Sequence, residues 1–250
     1  MFRLDNRIAL VTGAATGIGQ AIAVTLVKAG AHVAISDKPN VSLDETGELC
    51  QPYGKKILKF EMDVRDLEQI KEGVAAVEAA FDHIDILVNN AGINRPTPGL
   101  KVDQENWDDH FNTNIRGGFF CAQAVAPKMI EQKYGRVIFI SSQSGLIGIP
   151  GQPVYCSTKG AIINLVRTLG VEWAKHGITV NSVAPTFVET NLTRKRLQNP
   201  EFLNFVLGKI PKGELATPED IAHAVVYLAS DEAGMVNCTT LPVDGGWTAW

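Results

Sequence analysis

The stretch VTGAATGIGQA, Val11 to Ala21, follows the opening of a short apolar run, IALVT (8–12). It leads into a segment where Ile18, Ile22 and Leu26 recur at helical spacing. A strand, a glycine turn and a helix in that order make the first half of a βαβ unit. The glycines fall as GxxxGxG at Gly13, Gly17 and Gly19. Gly13 permits a tight turn, Gly17 lets a phosphate come close to the backbone, and Gly19 lets the helix pack closely. Thr16 and Ile18 complete the candidate turn. The free N–H groups and partial positive charge of the helix N-terminus suit a pyrophosphate.

The pattern continues along the chain. Strand candidates are 8–12, HVAIS (32–36), KILKFEM (56–62), IDILVNN (84–90), RVIFIS (136–141), TVNSVA (179–184) and TLPVD (240–244). Helical periodicity lies between them, as in Ile70, Val74 and Val77. Strands apolar on both faces and separated by helices predict an α/β fold. Its form is a single-domain, Rossmann-type, doubly wound parallel sheet of about seven strands with helices on both faces. No repeat or linker divides residues 1–250. The longest break, about 186–217, reads as a helical insertion on the ligand side.

The gross numbers narrow the function. The 250 residues are 45% hydrophobic with a net charge of −4, which argues against nucleic-acid and membrane partners. No apolar run is long enough to span a bilayer. The N-terminus, MFRLDNRIALVTG, does not read as a signal peptide, so the expected location is cytoplasmic. Four separated cysteines (Cys50, Cys121, Cys156, Cys238) contain no CxxC, and the five histidines form no metal-ligating motif, so no metal site is expected.

Other strand ends supply further ligands. Ser36-Asp37 closes the second strand, where the Asp37 carboxylate would accept from an adenosine ribose diol and repel a 2′-phosphate. This favours NAD over NADP, although Lys38 follows directly and softens the preference. Asp63 and Val64 close the third strand, within reach of an adenine amino group. Asn90, Ala91 and Gly92, in NNAG (89–92), close the fourth, where small residues admit the cofactor.

PVYCSTKGA (153–161) reads as helix, with Pro153 in its first turn. Tyr155 and Lys159 stand at i and i+4 and share a face. A nearby ammonium is expected to lower the phenol pKa toward working pH, so that Tyr155 can exchange a proton with an alcohol or carbonyl. Ser142 follows the strand RVIFIS, and its hydroxyl could bond the same oxygen. SSQSG is not a nucleophile elbow, which weighs against a serine hydrolase. Cys156 and Ser157 project elsewhere on the helix, although thiol chemistry at Cys156 stays open as an alternative.

TGAATGIG, NNAG, Asn114 in FNTNIRG, Ser142, YCSTK and VNSVAP stand in the order and spacing of the short-chain dehydrogenase/reductase family, which the chain resembles from about residue 5 to VDGGW (243–247). The resemblance implies a catalytic tetrad of Asn114, Ser142, Tyr155 and Lys159. In it Tyr155 is the acid/base, Ser142 orients the substrate oxygen, and Lys159 binds the nicotinamide ribose. Asn114 holds a water of the proton relay. The resemblance also implies that Asn181 positions the active-site backbone and that Pro185, Val188 and Thr190 lie against the nicotinamide. The chain departs from the family's usual residues at Pro185-Thr186, where Pro-Gly is usual, and at Asn237-Cys238, where Thr and Gly are commoner.

Substrate candidates are Arg95, Ser142, Gln143, Ser144, Gln152, Tyr155 and Phe187, with Asn94, Trp247 and the 189–209 segment nearby. Their amides and hydroxyls suit a polyol, sugar or sugar acid, and Arg95 or TRKR (193–196) could hold a carboxylate. The expected reaction is reversible hydride transfer between NAD and a secondary alcohol or ketone. A 3-oxoacyl-carrier-protein reductase or general carbonyl reductase is the alternative within the family. A non-catalytic dinucleotide sensor is the alternative outside it. AIINLVRTLGVEW (161–173) carries more apolar surface than one sheet contact needs, and the resemblance implies a homotetramer.

Overall fold

Alternating short apolar runs and amphipathic segments produce seven strands: β1 (Ile8–Thr12), β2 (His32–Asp37), β3 (Ile57–Glu61), β4 (Ile86–Asn89), β5 (Gly135–Ile140), β6 (Ile178–Pro185) and β7 (Thr240–Val243). The computed structural model describes residues 2–191 and 193–250. All seven strands pair in parallel in the order β3-β2-β1-β4-β5-β6-β7. Each sequence-predicted strand lies within two residues of its observed bounds at either end.

The helices are α1 (Gly17–Lys28), α2 (Asp44–Cys50), α3 (Leu67–Phe81), α4 (Gln104–Phe111), α5 (Gly118–Gln132), α6 (Pro153–Trp173), α7 (Arg194–Leu197), α8 (Pro200–Lys209) and α9 (Pro218–Ala229). Strand side chains alternate between faces, and both faces are covered. Ala9 and Val11 join Ile22 and Leu26 of α1 and Val225 of α9 in one core. Ile8 and Leu10 join Val74 of α3, Val125 of α5 and Val166 of α6 in the other. The chain winds outward from β1 to β3, then returns to start the other half at β4. The carboxyl ends of β1 and β4 therefore flank the switch point where such folds bind ligands.

Two details bear on the site. Between α4 and α5 the helix widens into a π-turn, Asn112–Gly117, a local distortion often found at functional positions. The insertion after β6 folds as α7 and α8 and is closed at its base by a parallel bridge, Val188 to Ala216. Leu192, within the 189–209 segment, lies outside the described residues.

The departure at Asn237-Cys238 has a local explanation. Cys238 takes the left-handed conformation (φ 60°) that glycine adopts without strain. Asn237 accepts from Val180 N (2.8 Å) and donates to the Gly170 carbonyl (2.9 Å), holding the turn against β6 and α6.

Candidate active site

A cavity of about 380 Å³ runs along the carboxyl edge of the sheet from Asp37 and Asp63 to Tyr155 and Lys159. At one end is the turn between β1 and α1. Gly13 has φ +64°, and a Cβ there would sit 2.8 Å from Ala91 Cα. A Cβ on Gly19 would run into the Gly13 carbonyl oxygen. The turn and the NNAG segment pack so closely that neither Gly13 nor Gly19 has room for a side chain. Thr12 and Asn90 lock this packing. The Thr12 hydroxyl accepts from Asn90 N (3.2 Å) and Ala91 N (3.1 Å), and Asn90 Nδ2 donates to the Gly13 carbonyl (2.8 Å).

The residues fit a dinucleotide. Thr16, the N-cap of α1, makes no side-chain capping bond, so the first N–H groups of the helix have no cap competing with a phosphate. Gly13, Thr16, Gly17, Ile18, Gly19, Asp37, Asp63, Val64, Asn90, Ala91, Gly92, Pro185, Val188 and Thr190 all line the cavity. Asp37 accepts from Ala15 N (3.1 Å) through Oδ2 and from Lys38 N (2.9 Å) through Oδ1, which fixes its carboxylate at the end of β2.

At the other end, Ser142, Tyr155 and Lys159 line the same cavity. Pro153 stands in the first turn of α6, and Tyr155 and Lys159 share a face of that helix. Lys159 is buried, and its Nζ donates to the Ile140 carbonyl at the end of β5 (2.7 Å). In return the Ser141 hydroxyl donates to the Lys159 carbonyl (3.1 Å). This two-bond clasp joins the last residues of β5 to the helix carrying the phenol.

The electrostatics differ from the expected lowering of the phenol pKa. Burial pushes Tyr155 up to about 12, and the Ser142 hydroxyl opposes the shift only in part. Burial also pushes Lys159 down to about 8. The Lys159 Nζ lies 5.6 Å from the ring centroid, so the pair is close. Loss of water outweighs the attraction the ammonium can offer, because a charged form in a dry wall is costly for either group.

The other candidate residues take the following places. Asn114 lies behind the cavity wall, with Nδ2 donating to the Ile93 carbonyl (3.0 Å) and Thr158 Oγ1 (3.1 Å). Its Oδ1 accepts from Ile93 N (2.8 Å). Both amide protons are thus committed to protein partners. Asn181 ties β6 to the segment before β7, donating to the Val236 carbonyl (2.7 Å) and accepting from Thr239 N (3.1 Å).

Gln143, Ser144, Gln152 and Phe187 do not line the cavity. Gln143 is buried and its amide has no partner. Ser144 N donates to Ser142 Oγ (3.1 Å), and Gln152 accepts from Asn94 Nδ2 (2.8 Å). Phe187 packs in an apolar cluster with Phe202 and Trp247, because the insertion needs an apolar seat on the sheet edge. Arg95 does line the cavity and pairs with Asp109 (2.6 Å). Cys156 does not line it, and Ser157 spends its hydroxyl on the Pro153 carbonyl (2.8 Å).

The sequence reading missed Arg65 and Asp109. Arg65 bonds both oxygens of Asp63 (2.7 Å at the shortest) and holds that carboxyl below the usual range. Asp63 is therefore already engaged by a cation. The Asp-x-Arg spacing was legible, but the partner's direction was not.

The fold and the cavity together define a dinucleotide-dependent oxidoreductase, and comparison with known proteins says which kind. The family model described as enoyl-(acyl carrier protein) reductase matches residues 13–248. A 3-oxoacyl-(acyl-carrier-protein) reductase of Thermotoga maritima is 37% identical over 244 residues, covering 98% of each chain. Gluconate 5-dehydrogenase of Gluconobacter oxydans is 36% identical over 248 residues, covering 99% of this chain and 97% of its own. Among solved structures, a gluconate 5-dehydrogenase of Burkholderia cenocepacia in complex with NADP and tartrate superposes with a TM-score of 0.95. It is 34% identical, covering 100% of this chain and 98% of its own. The chain belongs to the short-chain dehydrogenase/reductase family, whose members use NAD(P). It is an oxidoreductase acting on CH–OH groups.

Burial of Lys159 gives a pH test. A lysine whose folded pKa is depressed to about 8 binds fewer protons folded than unfolded between that pH and the ordinary value of 10.5. Stability should therefore rise with pH through this window. Lys159→Met removes the penalty. Urea unfolding at pH 7 and pH 9.5 should show wild type gaining on the variant by on the order of 1–2 kcal/mol at the higher pH.

Proposed function

We propose that the protein transfers hydride reversibly between NAD and a secondary alcohol or ketone of the polyol, sugar or sugar-acid class, with Tyr155 as acid/base. The observation that carries this reading is that Ser142, Tyr155 and Lys159 line the same cavity as the glycine turn. When bound, the nicotinamide dinucleotide supplies or takes the hydride. The protein's own groups do the rest. With its pKa pushed up to about 12, the phenol is protonated at neutral pH and can donate to the oxygen of a carbonyl under reduction. In the reverse direction the alcohol proton goes to the phenolate form of Tyr155, so oxidation requires the phenol to give up its own proton first. The Ser142 hydroxyl orients that oxygen. Lys159, held by the Ile140 carbonyl, is the group the resemblance assigns to the nicotinamide ribose.

Arg95 lines the cavity but is paired with Asp109, so the support for a polyhydroxylated substrate is that the Gluconobacter and Burkholderia relatives are named for gluconate. The Thermotoga relative favours a second reading, reduction of a 3-oxoacyl thioester. NAD is proposed over NADP because Asp37 places a fixed carboxylate at the end of β2, where a 2′-phosphate would be repelled. The NADP in the Burkholderia structure weighs the other way. A cytoplasmic location is supported by four cysteines that are all free. Among the described residues, no helix is long and apolar enough to cross a membrane. A homotetramer is supported by apolar side chains left exposed, Val171 on α6 and Trp107 on α4.

Tyr155→Phe should lower kcat by about two to four orders of magnitude while dinucleotide binding persists, read with sugar acids, polyols, 3-oxoacyl thioesters and plain ketones as substrates. Wild-type turnover in that variant would remove Tyr155 from the chemistry. The kcat/KM for NADH should exceed that for NADPH, and Asp37→Ser should narrow the gap. Light scattering should give a mass about four times the 27.0 kDa of the chain.

A further inference from the structure

Thr158 stands between Tyr155 and Lys159 on α6 and is fully buried. Its hydroxyl accepts from Asn114 Nδ2 (3.1 Å) and donates to the Tyr155 carbonyl (2.9 Å). A hydroxyl has one proton, so accepting from the amide leaves that proton for the carbonyl. The amide is anchored in turn to both backbone groups of Ile93. An unbroken hydrogen-bond chain thus runs from the Ile93 backbone through Asn114 and Thr158 to the backbone of Tyr155. It crosses three separate elements: the segment after β4, the π-turn and the first turns of α6.

We propose that Thr158 is a positioning residue for proton transfer: its hydroxyl fixes the turn of α6 carrying the phenol against the Ile93 segment, which lines the same cavity. The inference rests on the reading of Tyr155 as acid/base. Without the hydroxyl, one Asn114 proton loses its partner in a buried place, which is costly. The Tyr155 carbonyl also loses the bond that orients this turn. Displacement of a proton donor by a fraction of an ångström is enough to slow the reaction without altering the cofactor site.

The experiment uses the full chain and the most active alcohol of the substrate panel. Valine nearly matches threonine in shape, so Thr158→Val removes the hydroxyl and keeps the packing. It should lower kcat about tenfold and displace the midpoint of the kcat pH profile, leaving NADH binding, read by fluorescence, unchanged. Thr158→Ser, which keeps the hydroxyl, should recover most of the loss. Thr158→Ala should match valine and serves if the valine variant folds poorly. Normal kcat and pH midpoint in folded valine or alanine variants would overturn the proposal, as would a serine variant as slow as valine. Full turnover in Tyr155→Phe overturns the underlying reading. An inactive Tyr155→Phe beside a normal Thr158→Val overturns this inference alone.

Discussion

All seven strands run the same way, so their carboxyl ends share one edge, and the rest of the molecule follows from that constraint. Parallel strands need crossovers, the crossovers are helices, and the helices bury both faces of the sheet. Loops that leave the carboxyl ends of β1, β2, β4 and β5 then meet over the switch point. Close packing there leaves no room for side chains between Gly13, Gly19 and Ala91. Thr12 and Asn90 convert that contact into a hydrogen-bonded seam. The cavity is the space such a seam leaves above the sheet.

Within the cavity, burial and charge compete, and burial prevails at the Tyr155–Lys159 pair. Each side chain loses water, so the phenol holds its proton and the amine holds its own less tightly. The Ile140 carbonyl compensates Lys159 with one short bond, and the Ser141 hydroxyl returns another to the same helix. Those bonds fix the depth of α6 against β5. The chain from Ile93 through Asn114 to Thr158 fixes it laterally. Two sets of hydrogen bonds from different elements therefore define where the phenol stands.

Charge along the rim is arranged as an alternating series. Arg95 pairs with Asp109, Asp109 lies 3.6 Å from Arg65, and Arg65 grips Asp63. Pairs this exposed contribute little stability each, but they hold four side chains along the cavity with their charges balanced. The aromatic cluster of Phe187, Phe202 and Trp247 anchors the insertion after β6 beside the other end. One side of the cavity thus has a polar rim and the other an apolar support.

The fold was legible because its signals are local. Apolar runs such as IALVT and RVIFIS, the glycine turn, and the one-turn spacing of Tyr155 and Lys159 each lie within a few contiguous residues. Backbone period alone puts them on strand ends or a helix face. The partners of polar side chains were not legible, because they come from distant segments. Sequence could place Asn114 near the site but not show its amide spent on Ile93 and Thr158. It could nominate Gln143, Gln152 and Phe187 but not show that they fall outside the lining of the cavity. The sign of the Tyr155 shift was likewise decided by the tertiary structure, since desolvation depends on everything packed around a group. The sequence by itself determined the sheet, the turn and the face that carries the phenol. Only the folded packing decided which side chains reach the cavity, what holds them, and how much water they keep.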